Sequence, residues 1–585
     1  MSAADGGAIL GEVLARRGVR QLFTLCGGHI SPILVGAKTH GLQVIDVRDE
    51  ASAVFAADAV ARITGIAGVA AVTAGPGVTN TVTAVKNAQL AQSPVILLGG
   101  AAATLLRGRG ALQDIDQLSI MRPLTKWAVS LKTVGQIRPC LERAFEVAQT
   151  GVPGPVFIEL PIDLLYPESL VRELFMKEAG VQNAKDLRSK ALGLYVRGHL
   201  YRQFHQPESR RLCPKLDTSA LRAPARRELV RKTAALLREA ERPALVVGSQ
   251  ALSVQRDPEP IASAIRAIGV PTWLGGMARG LLGRDSDIQF RHQRGAALKE
   301  ADLVIVAGFP FDFRLGYGRR IGSGASLVSA NLSRRDLTKN RRPDLAVHMH
   351  PGEFLKALAV ELGGSADAGR RAPWFERLSA RESSRDDEIR QQARSKTELV
   401  NPLALFLRLE EAMSDDAIIV VDGGDFVATA SYILRPRGPL SWLDPGVFGT
   451  LGVGGGFALG AAAARPGKEV WLIYGDGSCA FSLAEFDTCL RHGLAPIAII
   501  GTDGSWAQIA REQLPMLGDD IGTVLRRTAY HEAAAGYGAK GLLLDDPAKI
   551  DETLAQAKNW AAAGTPVVIN AHICATDFRQ GSISM

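Results

Sequence analysis

Two acidic turns stand 27 residues apart near the C-terminal end of the chain. Gly475-Asp476-Gly477 follows an apolar run at 470–474, and Gly501-Thr502-Asp503-Gly504-Ser505 follows a second at 497–500. Leu483, Phe486 and Leu490 recur between them at helical spacing, so the unit reads strand, helix, strand, with an aspartate at each strand end. In a parallel sheet those ends share one edge, the edge at which open α/β sheets bind ligands, and Asp476 and Asp503 meet there. Two hard oxygen ligands beside glycine turns, with backbone N–H groups free at a helix start, suit a divalent cation such as magnesium carrying a diphosphate. An isolated Gly-Asp-Gly is ordinarily a tight turn. The pairing of two such turns is what argues for a site.

Three further residues could do chemistry from the other end of the chain. Glu50 lies in Arg48-Asp49-Glu50-Ala51-Ser52-Ala53, after a strand-like segment and before an alanine-rich helix at 51–64. A glutamate there ordinarily serves the helix dipole. His29, in Gly27-Gly28-His29, follows the first strand, and Gln113 sits in a loop at 110–114. Either could orient a substrate carbonyl or shuttle a proton, although a loop histidine also reads as a surface residue. Closer to the aspartates, a strand at 418–421 ends in Asp422-Gly423-Gly424-Asp425-Phe426, and Gly449-Thr450-Leu451-Gly452-Val453-Gly454 is a glycine-rich entry to a helix.

The elements that must position these residues form alternating β and α units. Strand-like segments at 21–25, 44–47, 69–73 and 95–98 are separated by small-residue helical stretches, which predicts a doubly wound parallel sheet. A second unit has strands at 244–247 and 303–307, with glycine turns after each, and a third unit carries the acidic turns. With 585 residues the chain is too long for one core and fits about three to four domains. Residues 171–235 lack clean periodicity and read as a connector; 366–395 reads as a charged linker.

The combination resembles the thiamine-diphosphate-dependent enzymes of the acetohydroxyacid synthase and 2-hydroxyacyl-CoA lyase family. It carries Gly475-Asp476-Gly477, the acidic-apolar pair Glu485-Phe486, Asp503 at the expected distance, and the run RDEASAVFAADAVARITGIAGVAAVTAGPGVTN in the first half. The resemblance implies three α/β domains: pyrimidine-binding at 1–170, central and nucleotide-binding-like at 236–365, and diphosphate-binding at 396–585. It implies thiamine diphosphate and Mg2+ as cofactors. Asp476, Asp503 and the Ser505 carbonyl would hold the metal, and Gly475, Gly477 and Ser478 the phosphate. Glu50 would hydrogen-bond N1′ of the aminopyrimidine so that N4′ serves as the internal base. Leu451, with Gly452 and Val453, matches the apolar fulcrum that bends the cofactor, and Gln113 matches a family glutamine.

Where the synthases carry Gln-His and the acyl-CoA lyases an Asn, this chain has Gly424-Asp425-Phe426, and a bare aspartate there requires a hydrogen-bonding neighbour. Asp503 replaces the usual Asn. Lys126 resembles an entrance-channel position, and the segment 576–582 could close over the site. The family's central domain has a six-stranded sheet that binds FAD in the synthases or ADP and coenzyme A in the lyases. Gly275-Gly276-Met277 and Phe311-Asp312-Phe313-Arg314 match neither pattern fully, and no complete GxGxxG is present.

The activity implied is carbon–carbon lyase or ligase chemistry, foremost 2-hydroxyacyl-CoA cleavage to an aldehyde and formyl-CoA. Acetolactate synthesis from pyruvate is the alternative, and a non-catalytic binding protein of the same fold a third. Against the last stand Glu50, Asp476 and Asp503, which a scaffold does not need. The pyrimidine half of one subunit would face the diphosphate half of another, so a homodimer is the minimum and a homotetramer the expectation.

The partner is then a small molecule, an acyl-CoA or a 2-oxo acid. The net charge of +8 is mild over this length, and no zinc spacing or helix-turn-helix signal supports nucleic acid. Much of the basic excess lies between 188 and 232, either as a solvated linker or as a funnel for an anionic substrate. No apolar run approaches a bilayer span and no secretory signal is seen, so a cytoplasmic location is expected. The six cysteines are scattered without a CxxC pair and read as reduced thiols.

Overall fold

In the computed structural model, residues 5–181, 186–216, 224–364 and 368–579 are described. The apolar runs become three parallel sheets. The first comprises β1 (Gln21–Leu25), β2 (Gln43–Asp46), β3 (Gly68–Val72), β4 (Val95–Ala101), β5 (Trp127–Ser130) and β6 (Val156–Pro161), in the order β2-β1-β3-β4-β6-β5. The second comprises β7 (Pro243–Val247), β8 (Thr272–Leu274), β9 (Leu303–Ala307), β10 (Ser326–Asn331) and β11 (Leu345–His348), in the order β11-β10-β9-β7-β8. The third comprises β12 (Ile418–Asp422), β13 (Trp442–Leu443), β14 (Val470–Gly475), β15 (Ile497–Thr502), β16 (Lys540–Leu544) and β17 (Val567–His572), in the order β13-β12-β14-β15-β17-β16.

The first and third sheets thus share one topology. In each, the opening strand sends the chain to one side and then to the other, which places a switch point between β1 and β3 and between β12 and β14. Crevices beyond the carboxyl ends at such points are where open sheets bind ligands. Helices cover both faces, so β3, β4, β6 and β12 are buried along their whole length, as strands covered on both faces must be. By internal contacts the chain divides into two compact units, Met1–Ala61 with Gly65–Asp217, and Arg62–Thr64 with Thr218–Met585.

Three sequence expectations change. The resemblance implies six central strands, whereas five are found among the described residues. The connector contains two helices, Leu187–Phe204 and Pro224–Glu239, and the helix Glu168–Glu178 runs into its start. The charged linker contains the 26-residue helix Ala368–Ala393, which buries Trp374, Leu378 and Ile389. That helix escapes a periodicity reading because so few apolar residues mark its inner face, and because its arginines are satisfied by carboxylates: Arg381 by Glu300 at 2.7 Å and Arg385 by Glu388 at 2.7 Å. The cysteines are all free, but two that are 73 positions apart, Cys140 and Cys213, approach to 4.0 Å between sulfurs.

Candidate functional site

At the β1/β3 switch point the structure gathers all three candidates of the first domain. Glu50 is the first residue of the helix Glu50–Thr64, which Asp49 caps by accepting the Ala51 N–H at 2.7 Å. A capped start fixes the direction of the Glu50 side chain. Its carboxyl is buried, and its one hydrogen bond among the described residues comes from Asn80 Nδ2 to Oε2 at 3.0 Å. Oε1 faces Gly77, where a Cβ would lie 3.6 Å away. One oxygen is therefore held and the other is available to a ligand.

His29 Nδ1 lies 3.3 Å from Thr73 Oγ1, and Thr73 donates to Gln113 Oε1 at 3.4 Å. With the threonine proton so used, His29 is the donor through Nδ1, which leaves Nε2 as an acceptor. Burial lowers the His29 pKa, against an opposing hydrogen bond to Gln113, so the ring is neutral near pH 7. Gln113 has a φ of 62°, in the left-handed region. Its strained loop is pinned from below. A Cβ on Gly75 would lie 2.8 Å from the Gln113 carbonyl oxygen, and the Gly75 N–H donates to Gln117 Oε1 at 2.8 Å. Gln117 in turn donates to the fully buried Glu159 at 2.8 Å, which Arg107 neutralises. Lys126 does not join this group: it donates to the Val147 carbonyl and, at 2.6 Å, to that of Thr150, closing the helix Ile137–Gln149.

The third sheet builds the second site. Strand register sets Gly475 opposite Gly501, so the turns carrying Asp476 and Asp503 leave adjacent strands side by side. Asp476 accepts the N–H groups of Gly477 at 2.8 Å and Gly504 at 2.9 Å, and Asp503 accepts that of Ser505 at 2.9 Å. Burial, followed by the charge of Asp476, pushes the Asp503 carboxyl up to about 7. Burial also raises Asp476. Neither has a Lys or Arg partner among the described residues. A buried carboxylate and a half-buried one that repel each other and lack an organic cation fit a divalent metal. No three His, Cys, Asp or Glu side chains converge as a cage among the described residues. A cation held by this pair would complete its shell with backbone, water and diphosphate oxygens, as magnesium does. Ser505 is fixed for such a role by its bridge to Val524.

The phosphate cradle is equally constrained. Ser478 Oγ accepts the Gly475 N–H at 3.1 Å and donates to the Asp422 carbonyl at 2.7 Å, tying the β14 turn to the end of β12. A Cβ on Gly477 would lie 2.4 Å from the Trp506 ring. Gly452, with φ 88°, starts the helix Val453–Ala464, and the N–H groups of Gly452 and Gly454 both donate to the buried Asp422 carboxylate, at 3.1 and 2.8 Å. Burial pushes Asp422 up to about 7 against those hydrogen bonds. Leu451 is partly exposed and Val453 fully buried, so only the former can present its side chain to a ligand.

Asp425 has the neighbours that its position requires: Arg511, in direct contact, and Arg579 Nε at 3.6 Å. Phe426 departs from its expected role. Its ring packs on Phe406 at 4.6 Å within the core and covers Gly501, where a Cβ would meet it at 2.5 Å, so only its backbone borders the turn. Of the closing segment, Phe578 is buried edge-on to Tyr432 at 5.6 Å and Arg579 reaches Asp425; residues 580–585 lie outside the described residues.

The sequence reading misses Asn80, Thr73, Glu159, Asp422, Arg511 and Trp506. Two of them carry a signal: Asp422 and Glu159 are carboxylates set into otherwise apolar strands.

A cavity of about 650 Å³ opens beside β8, lined by Arg279, Arg291, Arg294, Arg314, Arg320 and Arg579 among others. Asp312 answers Arg314 at 2.6 Å and Asp386 answers Arg291 at 3.1 Å, but Arg279, Arg294 and Arg320 have no carboxylate partner among the described residues. Burial and then the charge of Arg279, Arg314 and Arg320 lower Arg294 to about 10. The cavity therefore suits an anion.

Compared with known proteins, the chain matches the N-terminal TPP binding domain of thiamine pyrophosphate enzymes over residues 4–120, their central domain over 230–358 and their C-terminal TPP binding domain over 422–571. It is 47% identical to 2-hydroxyacyl-CoA lyase 2 of Danio rerio, over 100% of this chain and 94% of that protein. It is 45% identical to 2-hydroxyacyl-CoA lyase 2 of Homo sapiens, over 100% and 92%. The acetolactate synthase large subunit IlvG of Mycobacterium tuberculosis is 31% identical, over 96% and 95%.

Proposed function

This chain belongs to the thiamine pyrophosphate enzyme family, and from that premise we propose that it is a 2-hydroxyacyl-CoA lyase, cleaving a 2-hydroxyacyl-CoA to an aldehyde and formyl-CoA and running in reverse as a condensation. The observation that carries the choice is that similarity to the lyases spans the whole chain and exceeds that to the acetolactate synthases. The arginine-lined cavity is compatible with it, because coenzyme A brings phosphates that such a cavity would hold.

Thiamine diphosphate, when bound, supplies the carbon nucleophile that attacks a carbonyl and then stabilises the negative charge left as the carbon–carbon bond breaks. The residues of the chain bind and orient. Asp476, Asp503 and the Ser505 carbonyl would hold Mg2+, and the Gly477 and Ser478 amides the diphosphate. Glu50 Oε1 is the oxygen free to hydrogen-bond the aminopyrimidine. Neutral His29 can accept or return a proton through Nε2, and Gln113 can orient the substrate carbonyl. We place the adenosine phosphates of coenzyme A, or an ADP, in the arginine cavity. FAD there would belong to the acetolactate synthase alternative. We further propose a homodimer at minimum, a homotetramer as the working assembly, and a cytoplasmic setting in keeping with six free thiols.

The test is parallel incubation of the purified chain, with thiamine diphosphate and Mg2+, with a 2-hydroxyacyl-CoA and with pyruvate. Aldehyde and formyl-CoA are expected in the first tube. Acetoin after acidification of the second tube alone, or a yellow flavin that co-purifies, would reverse the assignment in favour of acetolactate synthesis.

A further inference from the structure

The helix Leu187–Phe204 buries one face and leaves an organised opposite face in solvent. Gly193, Val196, Leu200 and Gln203 pack inward, with Val196 and Leu200 against Phe175, Met176 and Val181. On the other side Leu187, Ala191, Leu194, Gly198 and Tyr201 recur at i, i+4, i+7, i+11 and i+14 and form a single exposed stripe. Leu187 is 88% exposed, Leu194 73% and Tyr201 64%. At 3.6 residues per turn, Lys190 and Arg197 border one edge of the stripe, and Arg188, Tyr195 and Arg202 the other. Leu170 and Leu174 of the neighbouring helix Glu168–Glu178 add to the exposed apolar area.

The four cations have no acidic counterpart. No Asp or Glu occurs within the helix, and none of Arg188, Lys190, Arg197 and Arg202 has a carboxylate partner among the described residues. The contrast with the helix Ala368–Ala393 is informative, since there Arg377, Arg381, Arg385 and Arg390 each meet a carboxylate. A solvated helix face ordinarily turns its leucines inward. A leucine and tyrosine stripe between two rows of unpaired cations is instead the pattern of a helix lying in a lipid headgroup layer, with apolar side chains below and basic ends snorkelling to phosphates.

We propose that this face docks on the surface of a membrane carrying anionic lipids, with Leu187, Leu194, Tyr195 and Tyr201 inserted and the four cations on lipid phosphates. The helix lies in the plane of the bilayer; no helix is long and apolar enough to cross one among the described residues. A second copy of the chain fits less well, because a twofold contact would set this basic face against itself. The inference stands whether or not the substrate is a CoA ester.

The experiment is co-sedimentation of the full chain with phosphatidylcholine vesicles with and without phosphatidylglycerol. Binding is expected to the anionic vesicles, to fall with added salt, and to weaken about fivefold for each of the four cations replaced by Gln. The double variant Leu194→Glu, Tyr201→Glu, at exposed positions outside the site, should abolish binding while its melting temperature and its turnover of a soluble substrate stay at the wild-type level. Three results would overturn the proposal: a wild type that stays in the supernatant at low salt, pelleting that ignores both lipid charge and the four cations, or a double variant that dissociates into smaller species in light scattering while binding vesicles as before. The last would identify the face as a contact between copies.

Discussion

At the scale of single residues, the site depends on carboxyl groups whose surroundings differ. Glu50 is held by Asn80 through one oxygen only, so replacing the acid by its amide keeps the shape and removes the proton. Glu50→Gln is expected to retain thiamine diphosphate in a fluorescence titration yet lose turnover by about 10²–10⁴-fold; a rate near wild type would remove Glu50 from the chemistry. Asp422 differs in kind, since it accepts backbone amides rather than facing a ligand. Its carboxyl ordinarily titrates at 3.8 and is raised by burial to about 7. The folded chain therefore keeps a proton that the unfolded chain has lost in that window. Stability linked to this group is greatest on the acid side and declines as pH rises through 7. The melting temperature of wild type relative to Asp422→Asn should accordingly shift in favour of wild type between about pH 8 and pH 5. An unchanging difference across that range would mean that Asp422 is not protonated in the fold.

At the scale of elements, close approach sets the site's dimensions. The helix Ala507–Leu517 begins beside Trp506, whose ring occupies the space over Gly477. A methyl group at Gly477 must displace that ring, and with it the segment that leads from Asp503 into the helix. Overpacking of this kind costs about 1–3 kcal/mol. Gly477→Ala should weaken the stabilisation conferred by thiamine diphosphate plus Mg2+ by about tenfold in apparent affinity, with the melting temperature of the cofactor-free chain lowered by a few degrees; differential scanning fluorimetry with and without cofactor separates the two effects. The same reasoning explains Phe426. It lies two residues from Gly424 in sequence, yet the turn into the helix Asp425–Ile433 carries its ring to the core side of the sheet, over Gly501.

At the scale of the whole molecule, the first and third sheets repeat one strand order, each with its candidate residues at its own switch point. The family resemblance joins the first half of one subunit to the last half of another. On that proposal two inactive variants, Glu50→Gln and Asp503→Ala, mixed through unfolding and refolding, should regain about a quarter of wild-type activity, because half of the dimers are mixed and each mixed dimer holds one intact site of two. Recovery of none would place both residues of a site in the same chain.

The sequence by itself determined the parts of this protein that follow from local pattern. Apolar runs ending in glycine turns specified the strands and their loaded ends, because a turn at a strand end is a local event, and the family resemblance of the motifs around Glu50, Asp476 and Asp503 pointed to the cofactor class. Only the tertiary structure decided which groups answer those residues. Asn80 beside Glu50, Thr73 between His29 and Gln113, Arg511 and Arg579 on Asp425, and Asp422 beneath the Gly452 turn are all partnerships between segments far apart in the chain. The helix Leu187–Phe204 was obscured for a related reason. Both of its faces are apolar, so no period stands out until folding buries one and leaves the other exposed.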